Sequence, residues 1–178
     1  MTDWIARCDC GALRLRATGD PIVSVACYCA DCQAAGHDLE HLAGAPKLVG
    51  DDGGTPMVLF RKDRVAAIDG EPLLREYRLN AKTPTRRLVA SCCNTPMAVD
   101  FTKGFWLALY ADRLGDQAPP LEMRTMVKQR PAGVVLPTDV TNCEGHSGKF
   151  MRRLLATWLT MGLSRPTLPS YPAISVLG

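Results

Sequence analysis

Three cysteines stand within six residues of the sequence, in a C-x-C-x-x-C pattern formed by Cys27, Cys29 and Cys32. Thiols at this spacing can converge on one point, which is typical of a metal site. A redox pair made of Cys29 and Cys32, or a set of inert thiols, are the alternatives. A disulfide between residues so close along the chain is strained, because neighbouring backbone does not easily meet its geometry. We therefore interpret the cluster as metal ligands.

A second set of cysteines flanks this cluster along the chain and comprises Cys8, Cys10, Cys92 and Cys93. Side chains two apart in extended backbone share a face, so Cys8 and Cys10 can point the same way, and Gly11 permits a tight turn after them. This pair looks like half of a four-cysteine site. Cys92 and Cys93 are adjacent, and adjacent strand residues point to opposite faces, so both cannot bind one metal without a local bend.

The fourth ligand of the three-thiol cluster is not evident from the sequence. His37 and His41 lie on the helix predicted after Cys32, but at about 140° and about 180° around it from that residue, taking about 100° per residue. We therefore expect them to be solvated or packed histidines. Cys143 and His146 are more distant candidates. If either completes the cluster the site is structural, and if neither does the fourth position is open, as in catalytic zinc sites.

Short segments of alternating hydrophobicity carry these cysteines. Strands are predicted at 4–7, 12–18, 22–29, 57–60, 65–68, 73–79, 87–92, 97–101, 105–110 and 121–127. Their spacing indicates antiparallel sheets rather than βαβ units. A short helix is predicted from Cys32 to about Leu42 with Asp31 as its N-cap, and a C-terminal helix over about 147–163 with Ser147 as its N-cap.

Composition limits the classes of function. The 178 residues are 47% hydrophobic and 22% charged, which suits one domain with its own core. The formal charge of +3 is small and the basic residues are scattered, so we expect no nucleic-acid partner. No apolar run approaches about 18 residues, so we expect no membrane helix. With no secretory signal at the N-terminus and eight cysteines that the cytosol would keep reduced, we expect a cytoplasmic location.

Three charged residues near the motifs have both structural and functional interpretations. Asp31 could act as an acid–base group near a metal, but a helix N-cap accounts for it. Arg86 and Arg87 could meet an anionic substrate, but we interpret them as surface charges on a strand end. The predicted site therefore consists of cysteines alone.

Three motifs stand in order along the chain: C-x-C-G from Cys8, C-x-C-x-x-C-Q from Cys27 and C-x-T-P from Cys93. In this order they resemble the glutathione-dependent formaldehyde-activating enzyme family, which also includes centromere protein V. The resemblance covers roughly residues 1–115 and implies a mainly β fold of antiparallel sheets, of the β-tent type. The short helix after the C-x-C-x-x-C motif and the C-terminal helix are expected from the sequence pattern. We expect a single domain over 1–178, made of a zinc-binding core over 1–115 and an extension over 116–178.

The resemblance also implies a set of ligands and a reaction. Cys27, Cys29 and Cys32 would hold a catalytic zinc, and Cys8 and Cys10 would join the later cysteine pair around a structural zinc, giving one or two zinc ions per chain. The implied reaction is the addition of glutathione to formaldehyde, a carbon–sulfur lyase in the reverse sense. The expected partner is a small thiol or aldehyde adduct such as glutathione. A zinc-stabilised binding module without catalysis is the alternative, and the C-terminal helix could form a homodimer.

The chain departs from the family pattern at two places. The family usually has C-x-x-C-G-T-P at the late motif, whereas here Ala90 stands three residues before Cys93 and Asn94 replaces the glycine, which it can do because Asn also adopts the left-handed conformation. From the late pair we expect Cys93 to be the ligand, with Cys92 as the second choice. The four-cysteine site could therefore be three-thiol, rearranged or empty. Tyr28 stands where a histidine is common, which leaves the substrate open.

Overall fold

The computed structural model describes residues 2–176, which form two β-sheets and two α-helices. The strands are β1 (Asp3–Arg7), β2 (Arg14–Thr18), β3 (Val23–Cys27), β4 (Thr55–Arg61), β5 (Val65–Asp69), β6 (Leu74–Tyr77), β7 (Thr85–Ala90), β8 (Thr95–Phe101), β9 (Trp106–Tyr110), β10 (Met123–Thr125) and β11 (Thr141–Asn142). The helices are α1 (Ala30–Glu40) and α2 (Gly148–Thr160). The small sheet has the order β1-β2-β5, and the large sheet has the order β11-β10-β3-β4-β9-β8-β7-β6.

This architecture confirms the predicted mainly β class, with a short helix after the Cys27 motif and a helix near the C-terminus. The strands pair antiparallel except at one edge of the large sheet, where β10 runs parallel to both β3 and β11. Parallel neighbours need a long connection between them, and β10 lies far from β3 along the chain. The spacing of short strands therefore predicted the antiparallel pairs but not this edge.

Both faces of the large sheet are covered by other parts of the chain. In β4, Val58 and Phe60 pack with residues of the small sheet, whereas Met57 and Leu59 pack with residues of the two helices. Successive side chains of a strand point to opposite faces, so a strand buried on both faces is apolar at almost every position. The large sheet thus separates two halves of the core, and each half holds one of the cysteine groups.

The start of α1 differs from the prediction. The helix begins at Ala30, and Cys29 is the residue before it, in extended backbone and without a side-chain capping bond. The amide of Ala30 instead donates to Oε1 of Gln129 at 2.7 Å. Asp31 lies in the first turn, where the helix dipole favours its negative charge, and it is not the N-cap. Cys32 lies in the first turn, as predicted.

The C-terminal helix α2 begins as predicted. The hydroxyl of Ser147 accepts a hydrogen bond from the amide of Phe150 at 3.0 Å and thereby caps the helix. Phe150 and Leu154 are buried against the large sheet, which places α2 over the half of the core that contains Cys27. Within residues 2–176, neither helix has the length and apolar character needed to cross a membrane.

Candidate metal centres

Four cysteines meet where the small sheet touches a turn of the large sheet. Cys8 and Cys10 follow β1, and Cys92 and Cys93 lie in the turn between β7 and β8. The four Sγ atoms all lie within 4.8 Å of one another. The strand predicted to reach Cys92 ends earlier, so the two adjacent cysteines are not in extended backbone and the expected conflict between them does not arise. Asn94 allows this turn because it adopts a positive φ of 53°.

The sulfur separations in this cluster match those of a tetrahedral metal site. The Sγ of Cys10 lies 3.3 Å from that of Cys92, and the Sγ of Cys8 lies 3.6 Å from Cys10 and 3.7 Å from Cys92. The Sγ atoms of Cys92 and Cys93 are 3.8 Å apart. Four sulfurs at a metal–sulfur distance of about 2.3 Å would be separated by about 3.8 Å. The structure therefore has room here for both members of the late pair, including Cys92, which we had ranked second.

Local donors favour the thiolate form of Cys93 in the four-thiol cluster, whereas burial favours the neutral thiols of Cys8 and Cys92. The amide of Leu13 donates to the Sγ of Cys8 at 3.2 Å, and the Sγ of Cys93 lies 3.0 Å from the hydroxyl of Thr95. Burial acts to raise the pKa of Cys93, but hydrogen bonds from Thr95 and Cys10 outweigh it and lower that pKa to about 6. Burial raises the pKa of Cys8. A bound cation would offset the cost of burying a thiolate, because metal ligation deprotonates thiols.

The three cysteines of the first motif also converge. Cys27 ends β3, Cys29 precedes α1 and Cys32 lies in its first turn, and their Sγ atoms all lie within 4.8 Å of one another. Cys27 is buried and the other two are partly exposed. Hydrogen bonds from Cys27 and Cys32 lower the pKa of Cys29, whereas hydrogen bonding to Cys29 raises that of Cys27. Hydrogen bonding within the cluster therefore favours the thiolate form at Cys29 over Cys27.

Two glutamines hold the loop that carries the three thiols. The side-chain amide of Gln33 donates to the carbonyl oxygens of Tyr28 and Gln129, at 2.6 Å and 2.9 Å. The ring of Tyr28 lies on the opposite side of β3 from Cys27, and its hydroxyl donates to Oδ2 of Asp52 at 2.5 Å. Burial raises the pKa of Tyr28 to about 12. Tyr28 thus anchors the loop and does not extend into the three-thiol cluster.

The other candidate ligands lie apart from the three-thiol cluster. Among the described residues, no Cys, His, Asp or Glu side chain completes the three-thiol group within its 4.8 Å radius, so neither Cys143 nor His146 joins it. His37 and His41 are exposed and lie beside each other, with Nδ1 of His41 2.6 Å from the carbonyl oxygen of His37.

The strands on either side of α1, β3 and β4, are antiparallel neighbours. The pair of Cys29 and Cys32 therefore lacks the βαβ setting of a thioredoxin-like redox motif.

Arg87 is the residue of this site that the sequence did not reveal. It was interpreted as a surface charge, but its side chain is among the largest fully buried ones, at 1% exposure. Its Nη2 donates to the carbonyl oxygen of Asp31 at 2.9 Å, and its Nη1 is buried with no hydrogen-bond partner in the described chain. After the thiol hydrogen bonds, its charge also lowers the pKa of Cys29. Arg87 shares a strand face with Val89, and this alternation was the signal available in the sequence.

Arg86 was also predicted at the surface and is also buried, but in a different role. It forms ion pairs with Glu76 at 2.5 Å and with Asp100 at 2.8 Å, and Asp100 is paired in turn with the buried amine of Lys62 at 2.8 Å. Buried charges persist when they are paired in this way. This network is remote from the thiols, so Arg87 alone of the two arginines belongs to the three-thiol site.

We expect Arg87→Gln to weaken metal binding at the three-thiol cluster by about 10–100-fold, the usual effect of losing an outer partner of a metal ligand. Three thiolates and a divalent metal leave one net negative charge, which the buried guanidinium offsets. Competition with a chromophoric chelator measures the affinity. Arg87→Lys, which keeps the charge, should lose less. Equal affinities for the wild type and Arg87→Gln would contradict this role.

A mostly apolar cavity of about 380 Å³ lies beside Cys27. Its floor is the helix-covered face of the large sheet, from Cys27 and Met57 across to Trp106, and α2 contributes Phe150 and Leu154. His146 also lines the cavity and stacks on Phe150, with 5.2 Å between ring centroids. A concave apolar site with few polar groups next to reactive residues is the usual setting for a small ligand.

The fold and these sites define a class of mainly β protein with two cysteine clusters that could hold metal ions. Residues 4–108, more than half of the chain, match the family described as glutathione-dependent formaldehyde-activating enzyme (GFA). The chain belongs to this family.

Comparisons with individual proteins add little to the family match. A crystal structure of a Rhodobacter sphaeroides protein is similar over 78% of this chain and 98% of its own, with 14% identity and a TM-score of 0.44. None of the curated proteins matches the chain. The roles of individual residues therefore depend on the geometry of this site.

Proposed function

We propose that the protein is a zinc-dependent enzyme that forms or breaks a carbon–sulfur bond in a thiol–aldehyde adduct at the three-thiol cluster. The observation that supports this most directly is the incomplete ligand set: three thiols converge beside a cavity, and no fourth protein ligand joins them among the described residues. Structural zinc sites are closed by four protein ligands, whereas catalytic ones keep a position for substrate. The description of the family is the second support.

The proposed reaction is redox-neutral. The thiol sulfur bonds to the aldehyde carbon, the carbonyl π-bond opens, and the oxygen takes up the proton that the thiol loses. In reverse, the carbon–sulfur bond of the hydroxyalkyl thioether breaks and the aldehyde and thiol are released. A zinc ion at the cluster supplies Lewis acidity, which lowers the pKa of a thiol and polarises a carbonyl oxygen.

The side chains of the protein divide the remaining tasks. Cys27, Cys29 and Cys32 would hold the metal, and Arg87 would offset the negative charge of the three thiolates. His146 lines the cavity, and its imidazole can accept or return the proton that the reaction moves. The four-thiol cluster would hold a second, structural zinc and so join the small sheet to the large one.

The test is an assay of adduct formation and cleavage with zinc-loaded protein. Formaldehyde and a panel of thiols, including glutathione, are mixed, and exchange between the aldehyde and its S-hydroxymethyl adduct is followed by NMR. We expect exchange to be faster with the protein than without it, and slower again in His146→Ala. If zinc-loaded protein accelerates exchange for no thiol, the enzyme proposal fails and a zinc-stabilised binding module becomes the better account.

A further inference from the structure

The cavity beside Cys27 has chemistry that restricts which thiol can enter it. We propose that the substrate thiol of this protein carries an apolar organic group, which occupies the cavity while its sulfur lies at the three-thiol cluster, and that glutathione is not the preferred thiol. This inference rests on the proposed function, because it specifies the substrate of the same site. It depends on where Cys27 lies, on the charges of the lining and on the length of the cavity.

The three-thiol cluster and the cavity meet at Cys27, which belongs to both. In β3, Val25 and Cys27 point to the same face of the large sheet, and both line the cavity. Thr125 of β10 is paired in register with Cys27 and also lines it. A ligand whose sulfur reaches the cluster therefore has its remaining atoms beside Cys27 and Thr125, at one end of the cavity.

Among the described residues, the side chains that line the cavity carry no Lys, Arg, Asp or Glu charge. The lining side chains with polar atoms are Thr125, His146, Trp106 and Cys27. Glutathione carries two carboxylates and an ammonium group, and burying such charges without partners is costly. Arg153 of α2 does not line the cavity and is paired with Glu122 at 2.5 Å. The cavity therefore favours an uncharged substituent.

The cavity is long enough to hold an extended alkyl chain. From β3 the cavity continues over β4 and β9 to β8, where Val99 and Phe101 line it. Three strand spacings of about 4.8 Å give a floor of roughly 14 Å, enough for an extended six-carbon chain. Its volume of about 380 Å³ is near the small end of ligand sites. The floor is apolar along this path, so each added methylene of a ligand would gain contact.

The experiment is a series of binding measurements by calorimetry with the zinc-loaded wild-type protein. Ethanethiol, butane-1-thiol, hexane-1-thiol and glutathione are titrated separately. Burial of each methylene is worth about a fourfold gain in affinity, so hexane-1-thiol should bind on the order of 100-fold tighter than ethanethiol. We expect glutathione to bind no tighter than ethanethiol. An affinity that is flat along the alkane series, or tightest for glutathione, would overturn the inference.

Two substitutions on α2 form a matched pair for locating the bound chain. Met151 lines the cavity and is 51% exposed, whereas Leu155 is 53% exposed and does not line it. We expect Met151→Lys to weaken hexane-1-thiol roughly fivefold, because half of an apolar side chain is lost from the contact, and to leave ethanethiol unchanged. Leu155→Lys should leave both affinities unchanged. Equal effects of the two substitutions on hexane-1-thiol would refute binding in this cavity.

The same thiols in the exchange assay separate this inference from the proposed function. Faster exchange with glutathione than with hexane-1-thiol would leave the enzyme proposal standing and overturn the apolar substrate. Absence of exchange with every thiol, together with affinity that rises along the alkane series, would reject the enzyme proposal and support an apolar thiol as the ligand of the site.

Discussion

Cys92→Ser is expected to release the zinc of the four-thiol cluster and to lower the Tm by on the order of 10 °C or more. The cluster joins the turn after β1 to the turn after β7, so its loss removes a link between the two sheets. In isolated zinc fingers, structural zinc contributes about 10–16 kcal/mol of folding free energy. This protein also has a hydrophobic core, so loss of only part of that free energy would lower the Tm by the expected amount. Zinc content and calorimetric unfolding are measured on the same sample.

Cys143→Ser provides the control for this substitution. Cys143 is a partly exposed free cysteine that belongs to neither cluster. The Cys143→Ser variant should retain both zinc ions and unfold within a few degrees of the wild type. Surface substitutions usually change the free energy of unfolding by about 0.5 kcal/mol or less. If Cys92→Ser keeps full zinc content and the wild-type Tm, Cys92 is not a ligand, and the arrangement predicted from the sequence, with Cys93 alone, becomes the better one.

Cys29→Ser is expected to abolish the enzyme activity, by about 1,000-fold or more, while the protein stays folded. The three-thiol cluster has no spare ligand among the described residues, so losing the central thiol leaves two. Metal catalysis contributes several kcal/mol, and each 1.36 kcal/mol is about tenfold in rate. Adduct exchange and zinc content provide the two readouts.

A retained fold is part of the expectation for Cys29→Ser. The four-thiol cluster is on the other half of the core, so this variant should keep one zinc and unfold close to the wild type. Cys92→Ser should show the opposite pattern, with a large loss of stability and a three-thiol site still able to bind metal. Wild-type rates of exchange in Cys29→Ser would exclude this cluster as the catalytic site.

Local patterns were sufficient to predict the three-thiol cluster. Strand alternation places Cys27 at the end of β3, and the helix start places Cys32 in its first turn, so convergence follows from backbone geometry over six residues. The same reasoning correctly directed His37 and His41 away from the thiols. The capping of α2 by Ser147 is likewise a local property, and the structure confirms it.

Features that depend on distant parts of the chain could not be predicted in this way. The turn at Cys92 follows an early end of β7, and a register shift between Leu88 and Val89 precedes it, both of which are set by pairing with β8. The burial of Arg87 depends on the first turn of α1, where the carbonyl oxygen of Asp31 accepts its hydrogen bond. Gln129 supplies the acceptor for Ala30, replacing the predicted cap, from about one hundred residues away. Such contacts require the tertiary structure.

The most direct test of the central claim is the zinc content of the wild-type protein, purified under reducing conditions and titrated with a chelator. We expect two zinc ions per chain, one for each cluster. The ion held by three thiols should leave first, and hexane-1-thiol should slow its departure, because this site has an exchangeable fourth position. Protein that binds no metal, or two zinc ions that leave together and unaffected by thiol, would contradict it.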